Sequence, residues 1–129
     1  MSTTQQQGQL AEELACQYLQ QKGMKLLERN YHCRFGELDL IMQDKQNLVF
    51  IEVRYRSNQA FGTGAETVTS NKQSKLVKTA AAYLQQHVKL AKYPARFDVI
   101  SMSGQLQHPA ASNELDKINI EWIENAFDA

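Results

Sequence analysis

Between Glu37 and Arg56 apolar side chains recur at every second position on either side of one polar interruption, Asp44-Lys45-Gln46-Asn47. A period of two belongs to strands, whose successive side chains point to opposite faces. Two such runs joined by a short polar stretch read as a β-hairpin. With Lys45 and Gln46 as its central turn residues, facing positions sum to 91, so Asp39 lies opposite Glu52, Glu37 opposite Arg54 and Ile41 opposite Phe50. One face then carries Leu38, Leu40, Met42, Val49, Ile51, Val53 and Tyr55, which is a core face. The other carries Glu37, Asp39, Glu52 and Arg54 at one end, with Ile41 and Phe50 at the other. Facing carboxylates cost a few tenths of a kcal/mol or more unless something neutralises them. On a wet outer face Arg54 would suffice. Ile41 and Phe50 instead imply that a helix covers this face, and covered carboxylates need a stronger partner, for which a hard divalent cation is suited. The residue pattern leaves both readings open, a metal site and a structural ion-pair cluster.

Helical periodicity flanks the hairpin. Over residues 6–21, Leu10, Ala11, Leu14, Ala15, Tyr18 and Leu19 fall within one half of the helical wheel. Glu12 sits at the edge of that arc, Glu13 points away from it, and Gly23 is placed to end the helix. Residues 25–33 read as a strand, and 57–68, with Gly62 and Gly64, as a polar loop. A second helix is expected over 71–91, with Thr69 or Ser70 as its N-cap and Pro94 just beyond its end. Its apolar arc holds Leu76, Val77, Ala80, Tyr83, Leu84 and Val88. Gln73 falls inside that arc and so needs a partner, a core hydrogen bond being one answer. Lys72, Lys75, Lys78, Lys89 and Lys92 take the remaining arc, which could face a phosphate backbone. Residues 95–102 form a further strand, 103–117 a loop around Pro109, and 118–127 a short tail helix docked through Trp122 and Phe127. The order α-β-β-β-α-β plus a tail helix implies an α/β fold, a mixed central sheet flanked by helices.

The 129 residues fit a single domain, with residues 1–6 expected to be disordered. Hydrophobic content of 43% and charged content of 22% argue against a disordered chain. No unbroken apolar run, residues 48–51 included, approaches the ~20 residues needed to span a membrane. The start has neither a basic nor an apolar signal segment, and Cys16 and Cys33 lack metal-site spacing; a cytoplasmic protein with free thiols is the expectation. The net charge of zero is unevenly spread. Through Arg96 there are 13 Lys and Arg against 8 Asp and Glu, and from Phe97 onward one against six. Such a basic stretch is more often a solvated face than a phosphate site, so bulk charge identifies no partner. His32, His87 and His108 have surface or capping roles by their spacing, and Gly62-Thr63-Gly64 is no phosphate loop. Tyr31, Phe35, Tyr55 and Phe61 are better explained by packing than by stacking on bases.

Several segments together carry a resemblance. Gly8-Gln9-Leu10-Ala11-Glu12, Asn30-Tyr31, Gly36-Glu37-Leu38-Asp39-Leu40-Ile41 and Val49-Phe50-Ile51-Glu52-Val53-Arg54-Tyr55-Arg56 resemble the YraN family. So do Lys72-Gln73, Arg96-Phe97-Asp98-Val99 and Trp122-Ile123-Glu124-Asn125-Ala126-Phe127. That family is similar to archaeal Holliday-junction resolvases and to PD-(D/E)xK nucleases, which implies a restriction-endonuclease-like core. The resemblance makes Asp39 and Glu52 the motif carboxylates and ligands of Mg²⁺ or Mn²⁺. Glu12 matches the glutamate that resolvase-like members add, and Gln73 a helix glutamine near the metal. It departs at Arg54, where the motif normally has lysine. Arginine stays protonated and can offset charge on a phosphate, but it cannot act as a base.

Three functions are consistent with these residues. The first is a metal-dependent nuclease on branched or structured DNA, with Glu12, Asp39 and Glu52 on the metal, Arg54 and Gln73 beside it, and Lys72, Lys75, Lys78 and Arg56 on the nucleic acid. Cutting both strands of a symmetric junction would favour a homodimer. The second is a degenerate nuclease fold that binds nucleic acid without cutting. The third is a protein-interaction module using the acidic tail of residues 114–128.

Overall fold

The computed structural model describes residues 4–56, 68–106 and 118–127. Helix α1 (Thr4–Gln21) leads into strands β1 (Lys25–Cys33), β2 (Gly36–Asp44) and β3 (Asn47–Arg56). Helix α2 (Ser70–Gln86) follows, then β4 (Ala95–Ser103) and β5 (Asn119–Phe127). The five strands form one sheet in the order β1-β2-β3-β4-β5. β3 and β4 run parallel, and every other neighbouring pair is antiparallel. A parallel neighbour requires a crossover, and α2 lies between those two strands in the chain. The result is the expected α/β fold, a mixed sheet flanked by helices and consistent with a restriction-endonuclease-like core.

The two faces of the sheet are two cores. Leu10, Leu14, Ala15 and Leu19 of α1 pack on Leu40, Met42, Val49, Ile51, Ile100 and Met102. Leu76, Ala80 and Tyr83 of α2 pack on Ile41, Leu48, Phe50, Phe97 and Val99 from the other side. The helix expected over Ile41 and Phe50 is therefore α2. At the end of α1, Gly23 takes φ 96, and the Met24 N–H reaches the Leu19 carbonyl at 3.1 Å, closing the helix as its position in the sequence implied.

Four expectations need correction. The C-terminal element is a strand, β5, and not a tail helix; Trp122 and Phe127 pack from it onto opposite faces of the sheet. Its apolar residues suit either period, and pairing along β4 satisfies a whole row of backbone groups that a docked helix would leave at the sheet edge. Helix α2 ends at Gln86, where His87 forms the C-cap, so Lys89 and Lys92 lie beyond it. Helix α1 starts at Thr4, so residues 4–6 are helical where disorder was expected, and residues 1–3 lie outside the described residues. Leu38 joins the α2-side core although Leu40 joins the α1 side. Asn30, placed opposite Asp39 by the pairs Arg29–Leu40 and Tyr31–Leu38, has φ 54, so the strand pair turns over there. The loop expectations for 57–67 and 107–117, with Phe61 and His108, fall outside the described residues.

Candidate functional site

The hairpin register is as expected from Leu40–Ile51 through Asp44–Asn47, but the paired ladder stops at Leu40. The pairs Asp39–Glu52 and Glu37–Arg54 expected beyond it are not part of it. β3 meanwhile stays paired to β4 through Arg56 and Ser103. β2 and β3 separate, and the Val53 N–H is satisfied by a side chain instead: Asp39 Oδ2 accepts it at 2.8 Å. Asp39 thus closes the fork between two strands, and its second oxygen is left for other partners.

Carboxylates from three elements meet at this fork. Glu12 on α1 and Asp39 share a side-chain hydrogen bond. Glu52 on β3 is close enough to raise the pKa of Asp39 further. Burial is the main reason that Asp39 is pushed up to about 8, with Glu52, Glu12 and Glu37 adding to it and the Val53 N–H opposing. Burial also raises Glu12, against the pull of Arg29, and raises Glu52, against Lys72 and Arg54. A carboxyl raised in this way takes up a proton more readily, which is how two half-buried acids can share one hydrogen bond.

Glu52 is held by cations. Lys72 Nζ lies 3.5 Å from Glu52 Oε1, and Arg54 Nε lies 3.8 Å from the same oxygen. Lys72 belongs to the first turn of α2, capped by Thr69, whose Oγ1 accepts the Lys72 N–H at 3.2 Å. Sequence reasoning put Lys72 on the nucleic-acid face; the fold brings it to the carboxylates, a placement that periodicity within one helix could not reveal. Gln73 donates its amide to the Val68 carbonyl at 3.0 Å, the inward hydrogen bond its place in the apolar arc required. Lys75 and Lys78 are exposed, and Arg56 is half-buried at the end of β3.

All of these donors are hard carboxylate oxygens, the set that Mg²⁺ or Mn²⁺ prefers, and in chemistry Glu12, Asp39 and Glu52 fit such an ion. Among the described residues, no group of three His, Cys, Asp or Glu side chains is arranged to close on a metal as it stands. Lys72 and Arg54 bring positive charge to Glu52.

Sequence reasoning assigned no role to Asp98, in β4. It is 1% exposed, yet its oxygens accept from Arg96 Nε at 3.0 Å, Trp122 Nε1 at 2.9 Å and the Asn125 N–H at 2.9 Å. Arg96 continues to Asp44 at 3.1 Å. This cluster ties β5 to β4 and to the hairpin turn. The remaining side-chain expectations agree with the fold: Cys16 and Cys33 are free thiols, His87 caps α2, Tyr31 packs edge-on against Tyr83, and the Tyr55 hydroxyl donates to the Gly104 carbonyl at 2.6 Å. No helix among the described residues is long and apolar enough to cross a membrane.

Residues 11–102 match the family model described as Uncharacterised protein family UPF0102. The chain is 46% identical over 129 residues to a UPF0102 protein of Stutzerimonas stutzeri, covering all of both chains. It is 44% identical over 126 residues to one from Nitrosococcus oceani, covering 98% of this chain and 94% of that one. A UPF0102 protein of Legionella pneumophila strain Corby is 46% identical over 126 residues, 98% of each chain. None of these names states an activity.

Proposed function

Because the chain belongs to the uncharacterised family UPF0102, the YraN family, whose name assigns no chemistry, we propose a function from the site itself: metal-dependent hydrolysis of phosphodiesters in branched or structured DNA. One observation carries the reading. Asp39 and Glu52 sit where β2 and β3 part, with Glu12 reaching in from α1 and two cations from β3 and α2 at Glu52. A fold seldom gathers three half-buried carboxylates without a use for their charge, since a structural cluster would gain as much from neutral residues. Glu12, Asp39 and Glu52 would hold Mg²⁺ or Mn²⁺, which supplies Lewis acidity and an acidified water. Arg54 offsets charge that develops on the phosphate through its planar guanidinium. Lys75, Lys78 and Arg56 offer phosphate contacts around the site.

The rival reading is a degenerate site that binds nucleic acid and does not cut it, and Lys72 and Arg54 on Glu52 favour it, because they balance that carboxylate without a metal. The assay is wild-type and Arg54→Lys protein side by side, with Mn²⁺ and a four-way-junction DNA. Cleavage by wild type, abolished in Asp39→Asn, is the expected result. No cleavage by either protein, both shown to be folded, would overturn the nuclease reading in favour of binding alone.

A further inference from the structure

We propose that Lys72 supplies the site's ammonium group, doing from α2 what the motif does with a lysine at the position of Arg54. This rests on the nuclease reading and names the residue that touches the reacting atoms. The third motif position sits on β3, two residues after Glu52, and here it holds a guanidinium. The ammonium comes instead across the interface between helix and sheet. Lys72 Nζ is 3.5 Å from Glu52 Oε1, nearer than Arg54 Nε at 3.8 Å, so one carboxylate oxygen is flanked by cations from two elements.

The position is built rather than incidental. Lys72 stands in a turn pinned at three points: its own N–H on Thr69 Oγ1 at 3.2 Å, the Gln73 N–H on the Thr69 carbonyl at 2.8 Å, and the Gln73 amide on the Val68 carbonyl at 3.0 Å. α2 also lies hard against the start of β2, where a Cβ on Gly36 would come within 3.2 Å of Thr79 Oγ1. The Lys72 side chain is 39% exposed and that of Glu52 only 11%, so a ligand arriving from solvent meets the ammonium before the carboxylate. Lys75 and Lys78 share the helix but are exposed and make no described ion pair with the carboxylates.

In the hydrolysis a water oxygen forms the new bond to phosphorus, and the opposite P–O ester bond breaks. One water proton leaves to solvent, and the departing oxygen takes a proton from solvent. Lys72 orients that water with its compact set of three donors and offsets charge on the phosphoryl oxygens.

The test needs a readout besides cleavage. Without DNA, Lys72→Met should tighten Mn²⁺ binding by about 3- to 10-fold in titration calorimetry at low salt, because a cation competing for Glu52 is gone. On a four-way junction with saturating Mn²⁺, the same variant should lose single-turnover cleavage by about 10²–10³-fold, the usual cost of one preorganised charge stabiliser. Moving the lysine back, in the double variant Arg54→Lys with Lys72→Met, should recover cleavage at least about tenfold over Lys72→Met alone. Lys72→Gln, which keeps a donor and the helix, guards against a folding defect in the methionine variant. Unchanged Mn²⁺ affinity with near wild-type cleavage by Lys72→Met would overturn the proposal and leave the nuclease reading standing. Losses of binding and cleavage in equal measure would overturn it too, reducing Lys72 to a phosphate contact. A wild type that binds Mn²⁺ and cuts nothing would sink both.

Discussion

Two aspartates on this sheet, half-buried Asp39 and fully buried Asp98, are provided for in opposite ways. Asp98 has three donors from three residues, Arg96, Trp122 and Asn125, and nothing in its shell asks for more. Asp39 has one backbone N–H, from Val53, and its other neighbours are acids. A buried carboxylate with its donors in place holds strands together. One surrounded by acids is strained towards the proton or towards a metal, and that imbalance is what a binding site looks like before its ligand arrives.

The contrast is broken most severely at Asp98. Asp98→Ala leaves the Arg96 guanidinium, the Trp122 indole N–H and the Asn125 N–H without their acceptor in the interior. It should cost about 3–5 kcal/mol in urea unfolding, as removal of one partner of a buried ion pair does. A loss below about 1 kcal/mol would mean the cluster is ornamental.

At Asp39 the sign reverses. Its folded pKa lies near 8, above the ordinary 3.8, so over that interval the folded chain holds a proton that the unfolded chain has released. The stability that Asp39 contributes therefore falls as pH rises from about 4 to about 8, and is greatest on the acid side. Asp39→Asn keeps an acceptor for the Val53 N–H and a donor for Glu12 without the charge. The variant should match wild type near pH 4 and exceed it at pH 8 by on the order of 1–3 kcal/mol, followed by thermal unfolding across that range. If Asp39→Asn is the less stable protein at pH 8, the residue is structural like Asp98 and the site assignment fails. Mn²⁺ should raise the melting temperature of wild type and leave that of Asp39→Asn unmoved.

The smallest effect concerns the twist that presents Asp39. Asn30, opposite it, has φ 54, a conformation asparagine tolerates and β-branched residues do not. Asn30→Val should cost about 1–2 kcal/mol, whereas Asn30→Gly should be nearly neutral. Equal costs for the two would show that the side chain, and not the backbone angle, matters there.

Most of the fold could be read from the chain, because it rests on local repetition. Period two over the hairpin gave its register, and the helical arcs marked α1 and most of α2, including the inward Gln73 and the Thr69 cap. The tail could not be read in this way. Nine residues with Ile120, Trp122, Ile123 and Phe127 suit a helix or a strand, and only the free edge of β4 decided for β5. Leu38 was misplaced because an alternating pattern has no means of announcing a strand that turns over.

For the site, the sequence by itself singled out the carboxylates that the fold brings together. Asp39 and Glu52 are uncommon residues on an otherwise apolar hairpin, and Glu12 lies at the edge of an apolar arc; each is visible one element at a time. What only the tertiary structure decided is how their charge is balanced. Lys72 reaches Glu52 across 19 intervening positions, Glu12 reaches Asp39 across 26, and the Asp98 donors come from β4 and β5 together. Periodicity reports the direction of a side chain relative to its own element. Which charges finally meet depends on how helices seat on the sheet, and that is settled by the two apolar cores, whose packing energy is far larger than any single ion pair at the fork.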